Sequence, residues 1–568
     1  MVDKIKKKIL ATIFNNNTQS IASAALLLGA ATVASSLLGV VRERLLVVTF
    51  GVGNSLDSYF AAFQVPNFAY NLLISATLSV AFIPVFCEFL HKDKEEAWRI
   101  ANSILNLTII AMGILAFIFF LGAPWLVKLI SPGFSGDKYS LTVNLTRMLM
   151  LSPWLFSISS IFSSILNSFR SFFLVALAPL IYNISIICGI LFLAPIMGIY
   201  GVVLAVIIGA FLHISIQIPG AVKFGFRWRR VIDWKNRGVK EILKLIAPRI
   251  LAIDASQISQ LVGTIIGSTL MIGSVAIFNL VFNIELLPIS IFAVSFVVSV
   301  FPSLSSDIAR GNFEDFKRDF SYSARQIIFF LIPLAILTFV FRAQVIRLVI
   351  GTRNLSWDNT RLAASILAIF ATSFIFQGIT PLLARVFFAL KNTATPLVIS
   401  LISILVNVCS TYFFLALLSR NDWFAQTVSL ILKLDGVSDL RALALPFGFS
   451  VASIFNAAVL FFALRWKFDH LDLDINKIFM SFLKYLGAGL VAGTIGYVGL
   501  YFVEPYLDTR SFFGILLQLS FATTFASITF ILISLLAKSE EMISLINTIG
   551  KKVRKPASAL DISSVDKL

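Results

Sequence analysis

Long apolar runs, broken only by short polar turns, recur along the whole chain and leave it few ways to fold. In hydrocarbon every backbone N–H and C=O must be bonded within the protein, so a run of about 20 apolar residues crosses as a helix. Such runs fall near 21–50, 57–90, 101–130, 140–168, 172–196, 198–222, 241–271, 274–305, 320–350, 360–389, 395–418, 440–465, 478–503 and 511–537. They predict an all-α polytopic membrane protein with about fourteen transmembrane helices. Only 13% of the residues are charged, where a soluble domain carries about 25%. Mean hydropathy is +0.92, and the 55 phenylalanines read as lipid-facing bulk.

The basic residues sort by loop. Lys4, Lys6, Lys7 and Lys8 precede the first run, seven Lys and Arg lie between Lys223 and Lys240, and Lys551, Lys552, Arg554 and Lys555 follow the last. An even number of spans puts all three clusters on one side, which the positive-inside bias makes cytoplasmic. The opposite turns near Gly51–Asn54, Met197–Tyr200 and Met271–Gly273 hold no Lys or Arg. Arg342, Arg347, Arg353 and Arg361 fall outside, against the bias. The formal charge of +17 is thus explained by retention in short loops, and no nucleic-acid partner is expected. Residues 1–20 are basic but lack the apolar core and cleavage pattern of a signal peptide. The expected location is the cytoplasmic (inner) membrane, multi-pass, with both termini inside and membrane lipids as partners.

Two features recur at one spacing. Phe82-Ile83-Pro84 precedes a charged stretch, and so does Phe301-Pro302, with 302 − 84 = 218. Pro179 and Pro396 lie 396 − 179 = 217 apart. This predicts two six-span pseudo-repeat lobes around a central cavity. The expected organisation is a cytoplasmic N-terminal segment (1–20), an N-lobe (21–222), a basic linker (223–240) and a C-lobe (241–465). Spans 13 and 14 (466–537) and a cytoplasmic tail (538–568) follow. Residues 420–438 are too short and charged to cross, and predict an amphipathic helix on the outer surface. The tail beyond Ala537 predicts a short interfacial helix and then disorder.

The polar residues inside the runs carry the functional signal. Charges at membrane depth cost roughly 2.5–3.5 kcal/mol each, so they persist where they face protein, water or cargo. At 100° per residue, Asp57, Gln64, Asn67, Asn71 and Ser75 share one face of the second run, and Ser35, Gly39 and Arg42 share one of the first. Asp254, Gln257, Gln260, Thr264 and Ser268 do so on the seventh, and Asn279, Asn283 and Ser290 on the eighth. By the repeat, runs one and two correspond to seven and eight, so the four stripes belong to equivalent positions, as a central cavity requires. The competing reading is interhelical hydrogen bonding at about 0.6 kcal/mol each. The expected substrate-binding set is Arg42, Asp57, Asn67, Asn71, Ser75, Gln257, Gln260, Asn279 and Asn283. Glu43, Arg44, Asp254, Glu285 and Arg385 are expected as structural or gating charges. An arginine in a partly dry cavity favours phosphate or carboxylate, which its planar fork binds bidentately.

Signals of catalysis are missing: the chain has no GxxxxGK[ST], HExxH, CxxC or GxSxG. It is expected not to be an enzyme and to need no cofactor or metal. Cys87, Cys188 and Cys409 read as small buried apolar residues, and His213 as a packed side chain.

LLGVVRERLL (37–46), FGVGNSLDSYFAAFQVPN (50–67), SVAFIPVF (79–86), PSLSSDIARGNFEDF (302–316) and RVFFALKNTATPL (385–397) resemble the MurJ/MviN family of lipid II flippases, in the multidrug/oligosaccharidyl-lipid/polysaccharide exporter superfamily. The resemblance runs over about residues 20–540. It implies fourteen spans, two lobes and a cationic cavity. It also implies alternating access that moves lipid II, an undecaprenyl-pyrophosphate-linked saccharide-peptide, outward for peptidoglycan synthesis, coupled to membrane potential or an ion. Arg42 matches the family's cavity arginine and Asp57 its outer-end aspartate, while Glu43 stands for an aspartate. The chain departs from the pattern at Ser36, Tyr70-Asn71 and Asn283, where arginines are typical, and at Ser75-Ala76, where Glu-Gly is. Either the pyrophosphate is held by fewer charges here, or a same-fold exporter of another polysaccharide-lipid or drug-like cargo is the alternative.

Overall fold

The computed structural model describes residues 21–71, 78–250, 255–352, 354–437, 439–468 and 474–554, with the side chains of 21–26, 78–80, 247–250, 255–256 and 548–554 left aside. All regular structure among these residues is helical. Ten helices are long and apolar enough to cross a membrane, and the pair Trp357–Ala371 and Phe374–Ala389, bent by 43°, makes an eleventh. The three other expected spans, 21–50, 57–90 and 241–271, are those that include residues or side chains outside the described set. The expected disorder beyond 554 also lies outside it.

The chain divides into two compact units. The first holds Met1–Ile284, Val349–Ala363 and Leu415–Leu445, and the second Glu285–Leu348, Ala364–Phe414 and Pro446–Leu568. In the first, Phe82, Phe86, Ile100, Ile104, Ile161 and Ile165 form a core. Asp93 accepts the amides of Glu95 and Glu96 at 2.9 and 3.2 Å and so caps the helix Lys94–Ile130. In the second, Asn312 accepts the amide of Asp315 at 3.3 Å and caps Phe313–Val340. The caps are 312 − 93 = 219 apart, so the charged stretches that mark the repeat are both helix starts with acidic first turns.

The second unit packs Ile475–Val503 against Phe313–Val340 through glycines. A Cβ on Gly489 or Gly493 would lie 2.7 or 2.8 Å from Ile336, and one on Gly496 would lie 2.7 Å from Phe341. Close backbone approach at small residues is how helices gain contact where lipid offers no hydrophobic drive. The tail begins as a helix, Glu540–Arg554. Glu541, 2% exposed, accepts from Tyr485 and pairs with Arg325 at 3.0 Å, which fastens that helix to the unit.

Three of the arginines expected on the outer side have work at helix ends; Arg353 lies outside the described residues. Arg361 donates to the carbonyls of Lys433 (2.9 Å) and Asp435 (2.6 Å), just past the helix Asp422–Leu432. Arg342 donates to the carbonyl of Phe339 at 2.9 Å and Arg347 to that of Thr509. The helix Asp422–Leu432 buries Val428 and Leu432 and exposes Trp423, Leu430 and Ile431. Two cysteines correct the expectation of burial: Cys188 and Cys409 are exposed on long apolar helices, and only Cys87 is partly covered. An apolar helix surface suits a small thiol as well as a core does. His213 is packed as expected, against Phe156, with its Nδ1 2.7 Å from Ser159 Oγ.

Candidate functional site

Within the first unit a cavity of about 220 Å³ opens among residues of helices Ile21–Phe50, Asn54–Tyr70, Phe172–Cys188, Ala255–Gly267 and Ser274–Pro288. Its polar lining is Arg42, Glu43, Gln64, Asn67, Gln260, Asn279 and Asn283, and its aromatic lining is Tyr59, Phe60, Phe63 and Tyr182. The polar residues come from the four helices whose stripes the sequence pairs across the repeat.

Arg42 is the centre of the charged end. Its Nη2 donates to Glu43 Oε1 at 2.7 Å and its Nη1 to Asn183 Oδ1 at 3.0 Å. Asn183 is held in turn, its Nδ2 reaching Ser35 Oγ (3.1 Å) and the carbonyls of Ser35 (3.3 Å) and Pro179 (3.2 Å). Asn283 Nδ2 also donates to Glu43 Oε1, at 3.3 Å. Two buried polar atoms of this cluster have no hydrogen-bond partner among the described residues: Arg42 Nε and Glu43 Oε2. A donor and an acceptor left open in cavity-lining side chains each cost about 1–3 kcal/mol unless something else meets them.

The uncharged end is an amide cluster. Gln64 Nε2 (3.2 Å) and Gln260 Nε2 (3.1 Å) both donate to Asn279 Oδ1, and Asn279 Nδ2 donates to the carbonyl of Val275 at 2.9 Å. Asn67 lines the same cavity and is exposed. Asn71 and Gln257 bond each other at 2.9 Å, outside the lining.

Asp57 corrects its expected role. It is 1% exposed and does not line the cavity. Its Oδ2 accepts from Lys138 Nζ and from the amide of Gly273, both at 2.7 Å, and its Oδ1 accepts from the amide of Ala276 at 2.8 Å. It therefore bridges two helix starts, its own and that of Ser274–Pro288, where orphan amides and the dipole favour an anion. Gly273, at φ +92, makes the turn that offers its amide. Asp57 and Gln64 share a helical face, yet seven residues at 1.5 Å rise put them about 10 Å apart along the axis.

The expected charges scatter. Glu43 pairs with Arg42, the residue before it, because a long arginine can fold back across the 100° between neighbours; Arg44 is half-buried and outside the lining. Glu285, in the second unit, is fully buried, accepts from Gln377 through Oε1 and leaves Oε2 without a hydrogen bond among the described residues. Arg385 stacks over Phe301 at 5.0 Å in the same unit. Ser75 and Asp254 lie outside the described residues. Sequence reading missed Asn183, Tyr59 and Tyr182. The signal available for Asn183 was its place one turn after Pro179, already flagged by the repeat, where proline leaves a carbonyl to be met.

A family model described as Lipid II flippase MurJ matches residues 46–518. The "Probable lipid II flippase MurJ" of Borreliella burgdorferi is 24% identical over 469 residues, covering 81% of this chain and 92% of that protein. A solved structure, "Lipid II flippase MurJ, inward closed conformation", superposes with a TM-score of 0.69 at 24% identity, over 90% of this chain and 99% of the other. An inward-facing multidrug resistance MATE family transporter of the MOP superfamily gives 0.60 at 14% identity, over 77% and 95%. These structural likenesses show the fold.

Proposed function

The chain belongs to the lipid II flippase MurJ family, and from that premise we propose that it carries lipid II outward across the cytoplasmic membrane by alternating access, with Arg42 holding the pyrophosphate. The observation that supports this most is the open Nε of Arg42 in a lined cavity. A phosphate oxygen would take that donor and compete with Glu43 for Nη2, which gives the planar fork the bidentate geometry it favours. Asn67, Gln260, Asn279 and Asn283 would offer amides to the sugar and peptide, and the aromatic side chains flat faces to the sugar rings.

The two lobes, 21–222 and 241–465, would rock about this site. Asp57 acts as a latch rather than a ligand: its bonds to Gly273, Ala276 and Lys138 tie the turns expected on the outer side and must break for the outer path to open. Transport coupled to membrane potential or an ion supplies the direction. The second reading, a same-fold exporter of another polysaccharide-lipid or drug-like cargo, is favoured by Asn71 and Asn283, which place neutral amides where the resemblance implies arginines. A cell depleted of its own lipid II flippase separates the two. The wild-type chain is expected to sustain growth and Arg42→Ala to fail at equal membrane abundance. Failure of the wild-type chain would favour the other cargo.

A further inference from the structure

Residues 224–236, in the basic segment of the first unit, form no regular element, yet side chains buried on the helix Lys94–Ile130 hold their backbone at five points and one side chain at a sixth. Asn102, fully buried, donates to the carbonyl of Arg227 at 3.1 Å and accepts the amide of Arg229 at 2.8 Å. Asn106, 8% exposed, donates to the carbonyls of Arg229 (2.8 Å) and Val231 (2.9 Å) and accepts from Trp228 Nε1 at 3.1 Å. Ser103, fully buried, accepts the amide of Asp233 at 3.2 Å. Phe226 is sunk against Trp98 and Phe162 below the loop. Buried polar side chains are spent here on a surface loop's backbone, which fixes the side chains that the loop turns outward.

What it turns outward is of one kind. Trp228 is 57% exposed, Trp234 61% and Ile232 39%. Arg227, Arg229, Arg230, Lys235 and Arg237 are exposed among them, with Arg230 over the Trp228 ring at 5.4 Å. Three acids nearby are already engaged: Asp233 pairs with Arg99 at 3.1 Å, Glu95 with Arg229 at 3.7 Å, and Glu96 accepts from Asn236. The segment joins the membrane-crossing helix Ile199–Lys223 to the next helix, Arg237–Ile250, so it lies at the level of lipid headgroups. Tryptophan settles at that level, and clustered arginines next to spans attract anionic lipids.

We propose that this loop is a preformed binding surface for anionic phospholipid headgroups of the inner leaflet. Its arginines hold the phosphates while Trp228 and Trp234 sit between the headgroups. The surface is separate from the cavity and stands whether or not the cargo reading holds.

The test reconstitutes the full chain in vesicles of mixed phosphatidylcholine and phosphatidylglycerol, with bromine on the acyl chains of one lipid or the other, and reads tryptophan quenching. The contribution of the loop is the difference between wild type and Trp228→Phe/Trp234→Phe. Brominated phosphatidylglycerol is expected to quench this contribution more strongly than brominated phosphatidylcholine. Each of Arg227→Gln, Arg229→Gln and Arg230→Gln should lower that selectivity about five-fold. Asn106→Ala keeps every charge but loosens the loop, and should lower it too. Equal quenching by the two lipids, or none, overturns the proposal; full selectivity in Asn106→Ala overturns the claim that the loop is preformed. Fluorescence-detected melting confirms that each variant is folded.

Discussion

Asp57→Ala is the perturbation whose cost the structure defines best. The carboxylate is 1% exposed and makes three contacts of 2.7–2.8 Å, one to a lysine and two to backbone amides. Removing it strands Lys138, whose side chain is only 15% exposed, and one buried charge without its partner costs about 3–5 kcal/mol. The two orphaned amides add about 1 kcal/mol each. The Phe134 ring, 4.0 Å from Lys138 Nζ, returns a part. The expected loss is therefore about 4–6 kcal/mol. Asp57→Asn, which keeps one acceptor oxygen, should lose about half of that. Adding Lys138→Met to Asp57→Ala should recover about 2–3 kcal/mol, because the stranded charge goes with it. Unfolding of the four proteins in mixed micelles with increasing dodecyl sulfate measures these differences. An Asp57→Ala loss under about 1 kcal/mol, or a double variant no more stable than the single, would refute the reasoning.

Glu285→Gln should leave stability unchanged or raise it, because among the described residues no cation lies within ion-pair distance of that buried carboxylate; a melting point several degrees lower counts against this. Gly493→Leu should impair packing of Ile475–Val503 against Phe313–Val340, since even a Cβ would meet Ile336 at 2.8 Å, and the variant should melt earlier than Gly487→Leu, where a Cβ meets nothing within 4 Å. The tail helix should loosen in acid. The Arg325 hydrogen bond and charge hold the Glu540 carboxyl below its usual 4.5, so its contribution is present above that pH and is lost as pH falls through the lowered value. Hydrogen exchange across 540–547 should rise there in wild type and stay flat in Glu540→Gln.

Helical periodicity made much of this legible, and its failures are physical. It reports the angle of a side chain about its own axis. That sufficed for Gln64, Asn67, Gln260, Asn279 and Asn283, whose stripes meet in one cavity. It does not report height, which is why Asp57 shared a face with Gln64 but serves the helix end. It does not report how far a flexible side chain folds, which is why Arg42 took Glu43 as its partner. Nor does it report which neighbour a helix receives: Asn183 and Tyr182 come from a run read as apolar, and only packing brings them to Arg42. The π-helical turns at Gly189–Leu193 and Ile289–Val294 also left no pattern in the sequence.

Binding of lipid II to the purified chain, followed by native mass spectrometry for wild type, Arg42→Ala and Glu43→Gln, tests the cargo site most directly. The wild type should retain lipid II, Arg42→Ala should lose it by at least an order of magnitude, and Glu43→Gln should bind more tightly, since the competing carboxylate is gone. Equal retention by all three would contradict the account.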